Sequence, residues 1–154
     1  MRIISHRGNL DGPDINRENN IKSILECLDK SLDVEIDVYC KDGYIFLDHD
    51  GPVKNKYLFT EFCDLFKNYQ QKLWVHCKNL DAIIHFNQLK TYNFNYFGHS
   101  NDDFVLTSHG FIFTKPGVVS GKNVVCVMPE IANLDAQLIK DYELVLTDYP
   151  VRFL

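Results

Sequence analysis

The segment Asp33–Tyr39 reads DVEIDVY, and its pattern sets the interpretation of the whole chain. Apolar and acidic side chains alternate along it, as is typical of a β-strand, whose side chains point to its two faces in turn. The valine and isoleucine side chains share one face, so Glu35 and Asp37 point together to the other. Two carboxylates in one pocket are ligands that hard divalent cations such as Mg²⁺ or Ca²⁺ prefer.

Strand and helix patterns alternate along the rest of the chain. Short apolar runs predict further strands at Arg2–Ser5, Tyr44–Leu47, Lys72–Cys77, Phe94–Phe97, Phe104–Thr107, Phe111–Thr114, Val124–Met128 and Leu144–Thr147. Apolar residues at helical spacing predict helices at Ile21–Leu28, Leu58–Tyr69, Asp81–Leu89 and Leu134–Lys140, the last two capped by Asn79 and Asn133. Such alternation favours an α/β fold with mostly parallel strands.

The length limits which α/β fold is expected. No linker, repeat or low-complexity tract interrupts the 154 residues, so we expect one domain over residues 1–154. A complete eightfold β/α barrel takes about 250 residues. If this chain forms a barrel, several of its outer helices must therefore be shortened or missing.

Composition and charge exclude several classes of protein. Apolar residues make up 45% of the chain, which is enough for a packed core and excludes intrinsic disorder. The net charge of −5, without a block of basic residues, argues against nucleic acid and anionic membranes as partners. No apolar run approaches the roughly 20 residues that span a bilayer, and no secretory signal precedes the first strand. Five scattered cysteines without a CxxC pair predict reduced thiols in the cytoplasm.

Polar segments whose residue types suit catalysis or ligand binding lie at or near the carboxyl ends of predicted strands. In parallel α/β folds, functional sites assemble at these ends. His6 follows the first strand, and His49 lies between two aspartates after Tyr44–Leu47. Imidazole titrates near neutral pH, so the two histidines suit acid–base catalysis. Arg7 suits a phosphate because its planar guanidinium presents a fork of donors.

The order and spacing of these segments resemble the glycerophosphodiester phosphodiesterase family, one of the phosphatidylinositol-phospholipase-C-like phosphodiesterases. The resemblance covers roughly residues 3–51, and the closing stretch 146–150 is similar to the end of the family's last barrel strand. Residues 52–140 match only loosely. The motifs that carry it are His6-Arg7-Gly8, Glu18-Asn19, Glu35-Ile36-Asp37-Val38, Lys41-Asp42-Gly43 and Asp48-His49-Asp50.

The resemblance implies a small TIM-type (β/α) barrel that hydrolyses a small phosphodiester with a divalent metal ion, Mg²⁺ or Ca²⁺ foremost. In the family, a neighbouring hydroxyl of the substrate is thought to attack phosphorus, and water then opens the cyclic phosphate. Position by position, the resemblance implies acid–base roles for His6 and His49, a phosphate contact at Arg7, metal ligands at Glu35 and Asp37, and supporting roles for Glu18 and Asn19.

One departure from the family pattern concerns the third metal ligand. The family carries a Glu-x-Lys pattern on a middle strand, and the matching stretch here is Trp74–Lys78, WVHCK. Lys78 fits the lysine, a phosphate contact, but His76 stands where the glutamate is expected. Imidazole also binds metals, and it shifts the preference from Ca²⁺ towards softer ions. Alternatively, Glu130 enters the site from another direction.

Three functions remain open at this point. The leading hypothesis is a metal-dependent phosphodiesterase acting on a small molecule, with His99, which follows a strand, as a further substrate contact. The second is a relative that binds a phosphorylated sugar or glycerol derivative without turnover. The third is a lyase that releases a cyclic phosphate.

Overall fold

The computed structural model describes residues 1–52, 57–133 and 139–154, and these contain nine strands and three α-helices. The strands are β1 (Arg2–His6), β2 (Asp33–Lys41), β3 (Tyr44–Phe46), β4 (Leu73–Cys77), β5 (Asn95–Phe97), β6 (Phe104–Leu106), β7 (Ile112–Thr114), β8 (Gly121–Val127) and β9 (Tyr142–Thr147). The helices are α1 (Ile21–Asp29), α2 (Phe59–Phe66) and α3 (Leu80–Gln88). Short 3₁₀ turns occupy Lys67–Tyr69, Pro129–Ala132 and Pro150–Phe153.

The strands form one sheet in the order β5-β4-β2-β1-β9-β8-β7-β6, and β3 pairs with β2 outside this path. Neighbours along the path are parallel, except for the antiparallel hairpin of β6 and β7. The sheet curls into a nearly closed, eight-stranded, barrel-like structure. The α/β class with mostly parallel strands is therefore confirmed.

The two ends of the sheet meet at a serine in the turn of the β6–β7 hairpin. The backbone N–H of Tyr96 in β5 donates to Oγ of Ser108 at 2.9 Å. The N–H of Ser108 in turn donates to the carbonyl oxygen of Tyr96 at 2.8 Å. These two bonds connect β5 to the hairpin, so the barrel is held together at the point where the order of paired strands ends.

Alternation along the strands divides the apolar side chains into an inner and an outer layer. Inside, Trp74, Phe97 and Phe113 pack with aliphatic side chains of β1, β8 and β9. The valine and isoleucine side chains of β2 belong to the outer layer, beneath the helices. The alternation predicted for β2 is thus confirmed, and Glu35 and Asp37 point into the barrel.

Helices cover the outside of the barrel only in part. The side chain of Asn79 accepts the N–H of Ala82 at 3.2 Å, which confirms it as the N-cap of α3. Residues 98–120 are all described and contain the β6–β7 hairpin without an α-helix, in line with the expected loss of outer helices. The helix predicted at Leu134–Lys140 falls largely on residues 134–138, which lie outside the described residues.

Two findings concern the environment of the chain. Among the described residues, none of the helices combines the length and the apolar character needed to cross a membrane. All five cysteines are buried and none is paired with another. Burial raises the pKa of the Cys77 thiol to about 12, so this side chain stays protonated and unreactive near neutral pH.

The outer layer generates a prediction about stability. Phe59 of α2 is fully buried, and its ring lies 5.3–5.7 Å from the rings of Phe66, Phe86 and Phe94. Phe59→Ala is therefore expected to lower the free energy of unfolding by about 3–5 kcal/mol, measured by urea denaturation. Leu65→Ala, at a position of the same helix that is 38% exposed, is expected to cost less than about 1 kcal/mol. Equal losses in the two variants would contradict this packing.

Candidate functional site

Three adjacent strands bring the polar side chains together at one end of the barrel. In the sheet, β1 and β4 flank β2, and the register places His6 beside Glu35 and Asp37 beside His76. Within each strand these residues alternate with side chains of the outer layer, so they all point inward. Because parallel strands end at the same edge, their carboxyl ends form one polar wall.

Glu35, Asp37 and His76 form a compact, buried group. Nδ1 of His76 lies 3.2 Å from Oε1 of Glu35 and 3.3 Å from Oδ1 of Asp37. One ligand atom from each residue lies within 4.8 Å of the others. An ion bound at 2.0–2.1 Å separates neighbouring ligand atoms by about 3 Å, so the spacing fits a divalent metal. We refer to these three residues as the acidic cluster.

Within the acidic cluster, the carboxylate of Asp37 is fixed by contacts with basic and polar side chains from other segments of the chain. Its Oδ2 lies 2.7 Å from Nε of Arg7 and accepts from Nδ2 of Asn19 at 3.1 Å. Its Oδ1 lies 3.9 Å from Nζ of Lys78 and is a buried oxygen that accepts no hydrogen bond within the described residues. Burial alone would raise the pKa of Asp37, but contact with His76 and the charge of Arg7 hold it well below its usual range. A buried, ionised oxygen of this kind is suited to a cation.

Glu130, the alternative third ligand, lies outside the acidic cluster. Its Oε1 accepts the hydroxyl of Thr147 at 3.0 Å and the N–H of Asp148 at 2.8 Å. Glu130 therefore holds the end of β9 in place. The group that the structure assembles uses His76 instead, at the position where the family pattern has a glutamate.

His6 is paired with a carboxylate from the far end of the chain. Nδ1 of His6 lies 2.8 Å from Oδ1 of Asp148, which also accepts Nδ2 of Asn9 at 2.8 Å. Burial tends to lower the pKa of His6, but the hydrogen bond with Asp148 and the charge of Glu35 outweigh it and raise this pKa above its ordinary value. The pairing orients the ring and leaves Nε2 for other partners.

The turn after β1 directs the side chain of Arg7 towards the acidic cluster. Arg7 has a φ of 55°, and its N–H donates to the carbonyl oxygen of Glu35 at 2.9 Å. The next residue, Gly8, has a φ of 86°, and a Cβ there would lie 3.3 Å from Cβ of Ser23 in α1. Glycine is needed because this conformation and this close approach both disfavour a side chain. NH1 of Arg7 also donates to Oε2 of Glu18 at 3.1 Å, which gives Glu18 the supporting place expected for it.

His49 lies in a different recess from His6. The recess is lined by His49 and its two aspartates together with Arg7, Glu18 and Asn19. Nδ1 of His49 lies 2.6 Å from Oδ1 of Asp50. Arg7 lines both this recess and the cavity that His6 lines, so it is the residue that the two sites share.

A cavity of about 240 Å³ opens beside the acidic cluster, and we call it the central cavity. His6, Arg7, Glu35 and His76 line one side of it. His99 also lines it, and its ring stacks on that of His76 with centroids 4.9 Å apart and planes 11° apart. Burial and the positive charges of His76 and Lys78 lower the pKa of His99. His99 therefore favours the neutral form at the mouth of the cavity.

Sequence reasoning missed two features of this site. Asn9 and Asp148 position His6, yet neither is among the candidate site residues, although Asp148 lies within the motif at 146–150. The aromatic rings of Phe97 and Phe113 line the central cavity, whereas the sequence places them only in predicted strands. A strand pattern shows that a side chain is buried but not that a cavity lies beside it.

Comparisons with known proteins return no family model, no curated protein and no solved structure that matches this chain.

The pair of His6 and Asp148 generates a pH prediction. Asp148→Asn removes the negative charge beside the ring, so the pKa of His6 is expected to fall, as measured by NMR titration of the imidazole C–H signals. Because folding raises this pKa, the pair stabilises the fold below the unfolded value of about 6.5, and this stability is lost as pH rises through the folded pKa. The variant is expected to lose that pH dependence. Asp64→Asn on α2 is the control, and an equal change there would contradict the pairing.

Proposed function

We propose that the protein is a metal-dependent hydrolase of small phosphodiesters, related to the glycerophosphodiester phosphodiesterases. The observation that carries this proposal is the buried acidic cluster beside His6 and Arg7 at the edge of one cavity. The barrel-like sheet supports it further, because the site lies at the carboxyl ends of parallel strands, as in TIM-type barrels.

Glu35, Asp37 and His76 would hold the metal ion, which would polarise a phosphoryl oxygen and offset its developing negative charge. Two carboxylates suit Mg²⁺, Ca²⁺ or Mn²⁺, while the imidazole favours a softer ion such as Zn²⁺. The buried Oδ1 of Asp37 supports this assignment. It accepts no hydrogen bond within the described residues and lies 3.3 Å from Nδ1 of His76, and a buried carboxylate oxygen is stabilised by a cation.

Arg7 and Lys78 would bind the phosphate. Arg7 is fixed by its contacts with Asp37 and Glu18, and its guanidinium carries five N–H groups, so donors remain for phosphate oxygens. Lys78 lies near the same carboxylate, at 3.9 Å. Positive groups fixed in advance stabilise the charge that builds up in the transition state.

His6 and His49 would carry out the proton transfers. Each ring has Nδ1 next to a carboxylate, which leaves Nε2 to exchange a proton with the substrate. One histidine would take the proton of a substrate hydroxyl as that oxygen bonds to phosphorus. The other would protonate the alkoxide as its bond to phosphorus breaks. Water would then open the cyclic phosphate with the two roles reversed.

A cytoplasmic location belongs to the same proposal. Five buried, unpaired thiols support it, because the cytoplasm keeps cysteines reduced.

A second candidate function is a module that binds a phosphorylated sugar or glycerol derivative without turnover. Asp37 already faces three groups that bear or can bear positive charge, namely Arg7, His76 and Lys78. The acidic cluster is thus compensated in part by the chain itself. This observation favours binding without a metal, and therefore without hydrolysis.

The proposal predicts metal-dependent hydrolysis of glycerophosphodiesters that chelators abolish. His6→Ala and His49→Ala are each expected to lower the rate about 10²–10⁴-fold, because each removes one proton transfer. His85→Ala on α3, which changes a histidine outside both recesses, is expected to leave the rate unchanged. Release of the product alcohol and ³¹P NMR of the phosphorus products measure these outcomes.

Unchanged activity in both the His6 and the His49 variants would overturn the mechanism. Tight binding of a glycerol phosphate without turnover in any divalent metal would favour the binding module. A cyclic phosphate that accumulates and is never opened would assign the protein as a lyase.

A further inference from the structure

The central cavity has two chemically different sides. The polar side carries His6, Arg7, Glu35 and His76, from strands β1, β2 and β4 and the turn after β1. The other side is apolar and comes from β5 to β9. Its lining side chains include Phe97, Val105, Phe113, Val127 and Leu146.

The apolar side is an extension of the core inside the barrel. The rings of Phe97 and Phe113 are 4.5 Å apart, and each residue is only 4% exposed. Leu146 is also buried and belongs to the same inner cluster. These side chains are fixed by packing, so the apolar surface exists before any ligand binds and needs no rearrangement.

Few polar groups on this side are available to a ligand. Asp102, Asp103 and Lys115 line the rim, where Asp103 and Lys115 form an ion pair with each other. The hydroxyl oxygen of Thr114 is shielded from solvent. A ligand hydroxyl that is buried against this side would lack a hydrogen-bond partner, and burying a hydroxyl without a partner is unfavourable. Glycerol and sugar groups therefore match this side poorly, whereas an alkyl or aryl group matches it well.

We propose that the central cavity binds a phosphodiester in which one alcohol group is small and apolar, either a short alkyl chain or a single ring. This inference rests on the proposed function for the phosphate and adds the class of the second alcohol. The phosphate lies against Arg7 and the acidic cluster, and the apolar group lies against Phe97 and Phe113.

The size of the cavity limits that group. Its volume of about 240 Å³ is below the ~300–1,000 Å³ of pockets for drug-sized ligands. Phe104 lines the mouth and is 69% exposed, so a longer chain would leave the cavity across its ring. Affinity should therefore rise with chain length and then level off.

Monomethyl esters of alkylphosphonic acids test the inference in the complete chain. They carry one negative charge, as a phosphodiester does, and their P–C bond is not hydrolysed. Binding of the methyl-, butyl-, hexyl- and octylphosphonate esters is measured by calorimetry with Mg²⁺ or Mn²⁺. Affinity is expected to rise about twofold to fourfold for each added methylene until the cavity is filled, the larger factor corresponding to ~0.8 kcal/mol for full burial.

A matched pair of variants on β6 locates the effect. Val105→Thr replaces a methyl group at the cavity with a hydroxyl and is expected to weaken binding of the hexyl ester about fourfold, with the methyl ester unchanged. Leu106→Thr changes the next residue, which is 66% exposed and lies outside the cavity lining, and is expected to change neither affinity.

The outcomes separate this inference from the proposed function. Equal affinities for the methyl and hexyl esters would overturn the inference while leaving the phosphate site intact. An affinity that rises with chain length but is not reduced by Val105→Thr would do the same. Absence of binding by every ester would overturn the phosphate site, and the inference with it. An affinity that still rises at octyl would overturn the inference, because the occupant would then be a lipid-length chain and not a small group. A plateau before octyl identifies a small soluble ester.

Discussion

The charge of Asp37, buried completely inside the barrel, is the constraint that organises the site. An ionised carboxylate inside a protein is unstable unless charges and donors compensate it. Arg7, Asn19, His76 and Lys78 supply that compensation, and they come from the turn after β1, the segment before α1, and β4 with the residue that follows it. Segments far apart in the chain are thereby fixed around one oxygen pair, and any ligand must bind within that arrangement.

The small size of the barrel explains why the buried charged groups lie on one side of the central cavity and the apolar side chains on the other. Three neighbouring strands in the order β4-β2-β1, with the turn after β1, carry the buried charged groups that line the cavity. The hairpin and the last strands provide apolar side chains, and Asp103 and Lys115 there are exposed. Residues 98–120 contain no α-helix, and their β6–β7 hairpin contributes Val105 and Phe113 to the apolar side of the cavity. A phosphate and an apolar group can thus be held side by side without loops that extend over the site.

Local patterns allowed the sequence to predict part of this arrangement. The alternation in β2 depends on a period of two alone, so Glu35 and Asp37 could be placed on one face before the structure was known. The match of His76 to a glutamate position likewise predicted a residue of the acidic cluster. The pairing of His6 with Asp148 could not be predicted, because 142 positions separate them and only the parallel pairing of β1 with β9 brings them together. The place of His49 depends on a loop whose path no periodic pattern records, and Glu130 was a candidate only by its position after a strand.

Crystallography with Mn²⁺ tests the central claim most directly, since anomalous scattering locates the ion without reference to activity. The account predicts one strong peak about 2.0–2.3 Å from a carboxylate oxygen of Glu35, an oxygen of Asp37 and Nδ1 of His76. A crystal saturated with Mn²⁺ in which the ion lies elsewhere, or in which His76 still contacts both carboxylates with no ion between them, would contradict it.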